Sequence, residues 1–200
     1  MTHIYLETKG ENTSEYVFIT TLLGILGKGK DKVDFFIECI NGKDNLSHIA
    51  PKMQAATAEG DRNIVVFDAD FPHNHGGFHT RWNDLQQKFG QLNVTVDDLY
   101  LYPNTGDDGD FETLLEKLTR KDLHALFFDC YGDYEKCLGN KYVHPNLKGK
   151  LHTYISAQKT LTNSQRRGLG SGQWQFNDVR YWDLNNTALQ PLKDFLMKNV

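Results

Sequence analysis

Short apolar runs alternate along this chain with longer segments of helical period, and polar stretches carrying glycine separate them. Residues 3–6 (His-Ile-Tyr-Leu) read as a first strand that ends at Glu7. Residues 8–14 are polar, contain Gly10 and form a turn, with Thr13 or Ser14 available to cap the next helix. Residues 15–26 carry Val17, Phe18, Leu22, Leu23, Ile25 and Leu26 and predict a helix with a wide apolar face, stopped by Gly27 and Gly29. Residues 33–40 predict a second strand. Residues 45–59 predict a helix around Leu46, Ile49, Met53 and Ala56, with Gly60 behind it. Ile64, Val65, Val66 and Phe67 form an unbroken β-branched and aromatic run, the pattern of a strand buried on both faces of a parallel sheet.

Beyond this third strand, Pro72 and the Gly76-Gly77 pair mark a loop over 71–77, followed by a helix over 78–89. Residues 99–102 form a short strand stopped by Pro103, and 105–109 an acidic turn. Asp110 is placed to cap a helix over 111–118, with Glu112 in its first turn. Helical character continues over 121–137 and 150–159. Residues 164–172, rich in Gly, Ser and Arg, read as a mobile loop, 181–184 as extended, and 187–198 as a closing amphipathic helix. Strand–helix–strand–helix–strand at this spacing predicts βαβ units: an α/β fold with a mostly parallel central sheet and helices on both faces. With 200 residues and no internal repeat or dividing linker, the expectation is one domain. It has a core over about 1–120 and a basic helical extension over about 121–200.

Composition narrows the classes. No apolar stretch is long enough to span a membrane, and no basic leader or signal-like apolar core precedes the first strand. Cys39, Cys130 and Cys137 are odd in number and form no C-x-x-C, which fits free thiols in a reducing cytoplasm better than a disulfide frame or a zinc site. The net charge of −4 hides an asymmetry. From 136 to 177 there is no acid but seven cations: Lys136, Lys141, Lys148, Lys150, Lys159, Arg166 and Arg167. From 97 to 116 there is no cation but seven acids. If folding brings these blocks together, a basic segment facing an acidic one suits a phosphate-bearing substrate; otherwise both are solvated faces.

The candidate chemistry lies at the end of the third strand. Asp68 and Asp70 follow it directly, and residues i and i+2 of a strand point to one side. Ligands of open α/β sheets bind at the carboxyl ends of the strands. Two carboxylates there call for a hard divalent cation, Mg²⁺ or Mn²⁺. If the first and third strands are parallel neighbours, Glu7 joins them at the same edge. The bland alternative is that the acids merely open a loop.

A Glu closing the first strand (Glu7) and an Asp-x-Asp closing the third (Asp68, Asp70) make the chain resemble the Toprim domain of topoisomerases, primases and OLD-family nucleases. It is most similar to small stand-alone Toprim-like proteins of unknown function. Leu101-Tyr102-Pro103-Asn104, Gly109-Asp110-Phe111-Glu112, a lysine (Lys148 or Lys150) ahead of Tyr154, and Trp182-Asp183 before a Leu-rich last helix carry the rest of the likeness. One departure is Thr8, where the family often has Gly after its first Glu. The resemblance implies a Toprim-like, Rossmann-like fold and a metal-dependent nuclease acting on DNA or RNA phosphodiesters. It implies that Asp68 and Asp70, helped by Glu112, hold one or two Mg²⁺ or Mn²⁺ ions. Glu7 would be general acid, general base or further ligand, and Lys150 or Lys148 would neutralise the scissile phosphate. An ATPase accompanies Toprim in the OLD family and would be a partner here, since nothing in the chain resembles a Walker loop.

Other features are weighed against plainer roles. Glu112 in a first turn also stabilises a helix dipole, and Lys148 and Lys150 also suit ordinary surface charge. His73, His75 and His79 read as solvated loop histidines rather than a metal cluster. Arg166 and Arg167 could close over a phosphate from their loop. Trp174, Phe176, Tyr181 and Trp182 read as packing against the sheet rather than as base-stacking platforms. Two rival functions remain: a haloacid-dehalogenase-like phosphatase with Asp68 as nucleophile, and a catalytically silent metal- or nucleotide-binding module working with a partner. The acidic net charge gives no separate support for strong nonspecific DNA binding.

Overall fold

A computed structural model describes residues 1–28 and 35–200. Four parallel strands form one sheet: β1 (Thr2–Leu6), β2 (Phe35–Cys39), β3 (Arg62–Asp68) and β4 (Asp98–Tyr102), in the order β2-β1-β3-β4. The predicted second strand is found as β2; its expected first residues, Val33 and Asp34, lie outside the described residues, as does Gly29. β3 is buried from Asn63 to Phe67, as its unbroken apolar run requires.

Strand alternation sends side chains to two cores. Ile4, Leu6, Ile64, Val66, Tyr100 and Tyr102 face one, and Tyr5, Val65, Phe67, Leu99 and Leu101 face the other. The second core is closed by α2 (Leu46–Ala58) and α3 (Phe78–Gln91). The first is closed by α1 (Ser14–Ile25) and α4 (Phe111–Leu118), joined by the C-terminal part of the chain. There α5 (Ala125–Leu138) lies outermost with Tyr131 as its buried residue, while α6 (Leu147–Ser156) inserts Leu151, Tyr154 and Ile155. The last helix, α8 (Gln190–Asn199), inserts Leu192, Phe195 and Leu196. Trp174, Phe176, Tyr181 and Trp182 are all buried in this core, which settles them as packing residues.

The segment expected to be a loop at 164–172 is instead helical. The helix α7 (Asn163–Gly168) is opened by a capping box between Thr162 and Gln165, and a tight 3-10 turn (Leu169–Ser171) succeeds it. The glycines of this segment suggest looseness, but one of them has a fixed role. Gly172 has φ +77°, and a Cβ there would stand 2.2 Å from the carbonyl carbon of Thr13. The glycine is there for direct backbone contact with the start of α1. Among the described residues no helix is long and apolar enough to cross a membrane.

Chain order decides where a site can form. From β1 the chain moves to β2 on one side, then returns past β1 to β3 and β4 on the other. The order reverses between β1 and β3, and the crevice beyond their carboxyl ends is the switch point of such a sheet.

Candidate functional site

Glu7 comes directly after β1 at that crevice and Asp68 ends β3. The two strands are parallel neighbours, with Leu6 opposite Val66. Glu7 Oε2 accepts the Asp68 N–H at 3.1 Å, and its Oε1 accepts the Lys43 N–H at 3.3 Å. The expected convergence of Glu7 and Asp68 is therefore present.

Two helices bring further acids to the same place. Asp110 caps α4 through a capping box with Thr113, as its position in the sequence predicts. The cap aims the first amide of the helix, that of Phe111, at Asp68 Oδ1, 2.8 Å away. Glu112 is the next residue. On the other side Thr13 caps α1, and Glu15 is its second residue. Both helices thus point their N-termini at the crevice with an acid in the first turn, where the dipole favours negative charge. Glu7, Glu15, Asp68 and Glu112 all line one cleft of about 540 Å³.

The sequence pattern does not single out Glu15, which reads there as the polar start of an apolar helix. The signal that marks Glu112, an acid just inside a capped helix that follows a sheet strand, is equally present at Glu15.

The carboxylates repel one another in a partly dry space. Burial pushes the Glu15 carboxyl up to about 8, helped by the charges of Glu7 and Glu112 and opposed by Lys148. Burial likewise raises Asp68 well above the usual carboxylate range, with Glu15, Glu7 and Glu112 adding to it and the Phe111 N–H opposing. Glu7 is raised by burial, against the Asp68 amide and the Arg81 charge. Glu15 Oε1 and Glu112 Oε1 are buried without a hydrogen-bond partner. Buried acceptors left unpaired are costly and call for a donor or a cation.

One cation reaches the cleft from the basic block. Lys148 Nζ stands 2.9 Å from Glu112 Oε1, an ion pair without hydrogen-bond alignment. Lys148 is the second residue of α6, where a positive charge opposes the dipole. Lys150 also crosses to the acidic block, but to Glu116 at 3.1 Å, with its ammonium 5.8 Å above the Tyr131 ring. The two charge blocks do meet, across α4 and α6. Of the two candidate lysines, Lys148 lines the cleft and Lys150 does not.

Asp70 departs from the expected geometry. β3 ends at Asp68, and Asp70 takes φ +60°, so the i, i+2 alternation of a strand no longer applies to it. Its carbonyl accepts the Gly109 N–H at 2.8 Å, and its carboxylate is bound by Arg81 of α3. Asp70 is absent from the walls of the cleft. The pair instead borders Glu7, which feels both charges. The Arg81 side chain is only 4% exposed. Asp70→Ala should therefore cost about 3 kcal/mol by stranding a buried guanidinium. Urea unfolding checks this, and Arg81→Met added to Asp70→Ala should restore most of the loss.

The remaining candidates are elsewhere. Arg166 donates to the carbonyls of Ser156 and Gln158 at the end of α6, and Arg167 is exposed and lines no part of the cleft. His73, His75 and His79 are exposed, as their loop reading predicts. The acidic turn has local duties: Asp107 bonds Asn104, Asp108 accepts from Phe78 N at the start of α3, and Asp110 caps α4.

The four cleft carboxylates are the donor type that a hard divalent cation takes, and Glu15 Oε1, buried with no hydrogen bond or ion pair among the described residues, is open to one. Among the described residues no three His, Cys, Asp or Glu side chains already stand grouped as metal ligands. The carboxylates would have to turn inward to close on an ion. Comparison of the chain with protein-family models, curated proteins and solved structures finds no match.

Proposed function

We propose that this protein is a divalent-metal-dependent phosphoryl-transfer enzyme, a Toprim-type nuclease acting on nucleic acid phosphodiesters. The observation that carries the reading is the cluster of Glu7, Glu15, Asp68 and Glu112 around one cleft at the β1/β3 switch point, with Lys148 at its side. Asp68, Glu112 and Glu15 would hold Mg²⁺ or Mn²⁺, with Glu7 as a further ligand or as the proton-transferring group. Asp70, tied to Arg81, supports the site from behind Glu7 rather than as a ligand. When bound, the metal supplies charge stabilisation to the attacking and leaving oxygens of a phosphodiester.

The chain's own groups do the rest. Two backbone amides hold Glu7 in place, and burial raises its proton affinity above that of an ordinary carboxylate, which suits a proton-accepting role. Lys148 is 60% exposed and can leave Glu112 to meet a phosphate oxygen. The free thiols fit a cytoplasmic setting. The phosphatase alternative needs both motif acids to face one substrate, and the Arg81 pairing of Asp70 speaks against it. A binding module that works with a partner, such as an ATPase, is favoured by one observation, the exposed apolar side chains of Leu123, Leu126 and Tyr134 on and beside α5.

The test is cleavage of supercoiled DNA, single-stranded DNA and structured RNA with Mg²⁺, Mn²⁺ or chelator. Lys148→Ala should lower metal-dependent cleavage by about 10²-fold with metal binding intact, and Lys148→Arg should keep part of it. Metal binding without cleavage of any substrate would favour the binding module.

A further inference from the structure

Beside the acidic cleft lies a second one of about 480 Å³, a volume within the range of small-molecule sites. Thr13, Ser14 and Lys148 belong to the walls of both, so Lys148 stands between them. The chemistry changes across that boundary. Among the described residues no carboxylate lines the second cleft. Its walls include Leu169, Trp174, His152, Asn12 and Asn146.

These groups are presented in a particular way. The Trp174 indole N–H donates to the Leu169 carbonyl at 3.0 Å and the residue is buried, so it backs the cleft as a packing residue and leaves stacking to His152. His152 is exposed and sits against Trp174 with ring centroids 6.0 Å apart and planes at 64°. Among the described residues, neither the His152 ring nor the Asn12 side chain makes a hydrogen bond. Asn146 spends its oxygen on the Gly149 N–H at 2.9 Å, which leaves its amide hydrogens free. The cleft thus offers one exposed aromatic ring, that of His152, with neutral donors and acceptors and one cation at the side of the acidic cluster. The contact of Gly172 with Thr13 fixes the Leu169–Trp174 wall to the start of α1, and so to the helix that carries Glu15.

A ligand that matches both clefts is anionic at one end and planar, apolar-faced and polar-edged at the other. A nucleotide has that form: its phosphate suits Lys148 and a metal-loaded acidic cleft, and its base suits aromatic stacking with amide contacts at the edge. We infer that the second cleft seats the nucleoside joined to the phosphate that the acidic cleft receives. This rests on the phosphoryl-transfer reading of the acidic cleft. A base held there makes the substrate a nucleotide unit with its base unstacked, as at a strand end or in single-stranded nucleic acid.

The experiment measures binding of AMP, ribose 5-phosphate and inorganic phosphate to the full chain by calorimetry in Mg²⁺. The proteins are the wild type, His152→Ala, His152→Phe and Gly170→Trp. His152 is exposed, and a Cβ at Gly170 meets nothing within 4 Å, so the fold should tolerate each change. AMP should bind at least about 10-fold tighter than ribose 5-phosphate, the order of one base–aromatic stack. His152→Ala should remove most of that preference and leave ribose 5-phosphate unaffected. His152→Phe should restore it, and Gly170→Trp should weaken AMP alone. Equal binding of AMP and ribose 5-phosphate, equal loss of both in His152→Ala, or no AMP binding would overturn the inference. Mn²⁺ binding, followed separately by its paramagnetic resonance, reports on the acidic cleft. A His152-dependent preference for AMP without Mn²⁺ binding would keep the nucleoside subsite and remove the metal-dependent reading. Mn²⁺ binding without that preference would do the reverse.

Discussion

Asp68→Asn is expected to lower metal-dependent phosphodiester cleavage by roughly 10³-fold or more, while the metal-free protein keeps or gains stability. The two effects have one source. Asp68 Oδ1 accepts the Phe111 N–H at 2.8 Å, and asparagine retains that acceptor. What it removes is a negative charge set among Glu7, Glu15 and Glu112 under burial that already disfavours it. The structural bond survives, the repulsion falls, and the proposed anionic metal donor is lost. Turnover in Mg²⁺ and urea unfolding in chelator, on the same preparation, check both halves. Wild-type turnover by Asp68→Asn would remove this aspartate from the chemistry.

The second large effect is on stability against pH. In chelator, stability should fall as pH rises from about 4.5 to about 8, and Glu15→Gln should flatten much of that fall. Burial pushes the Glu15 carboxyl from its ordinary 4.5 up to about 8 in the folded protein. Between those values the folded state holds a proton that the unfolded chain has released. The Glu15 contribution to stability therefore declines with rising pH, being fully present below the lower value and lost above the upper one. For a shift of this size the loss is on the order of 5 kcal/mol. Asp68 and Glu7 are raised as well and tilt the curve the same way, so some slope should persist in Glu15→Gln. Mg²⁺ should restore stability most strongly above about pH 7, where it replaces the missing protons. A metal-free stability that is level over this range in the wild type would contradict the burial of Glu15.

The fold is legible in the sequence wherever local pattern and tertiary role agree. The β3 run is apolar because both its faces are covered, and Asp110 announces the start of α4 in the sequence itself. Glu7 beside Asp68 follows from strand order, which the βαβ spacing foreshadows. What a period cannot express is the geometry past a strand's end. The D-x-D reading assumes that β3 runs on through Asp70, whereas the chain enters a left-handed turn there and hands that carboxylate to Arg81. Arg81 lies eleven residues further on, inside a helix, and nothing local marks it as a partner. Glycine at 172 reads as looseness, but it is required by contact with Thr13, a neighbour remote in sequence. Glu15 escapes notice because its helix is weighed by its apolar face. Its importance comes from the direction of the helix end, which only the assembled sheet sets.

The most direct test of a metal site at the β1/β3 switch point is a crystal grown or soaked with Mn²⁺ and measured for anomalous scattering. The expected result is a peak in the cleft between β1 and β3, bonded to Asp68 and to oxygens of Glu15 and Glu112, with Glu7 alongside and Asp70 still on Arg81. An empty cleft at saturating Mn²⁺, or a peak held by Asp70 or the His73–His75 loop instead, would contradict it.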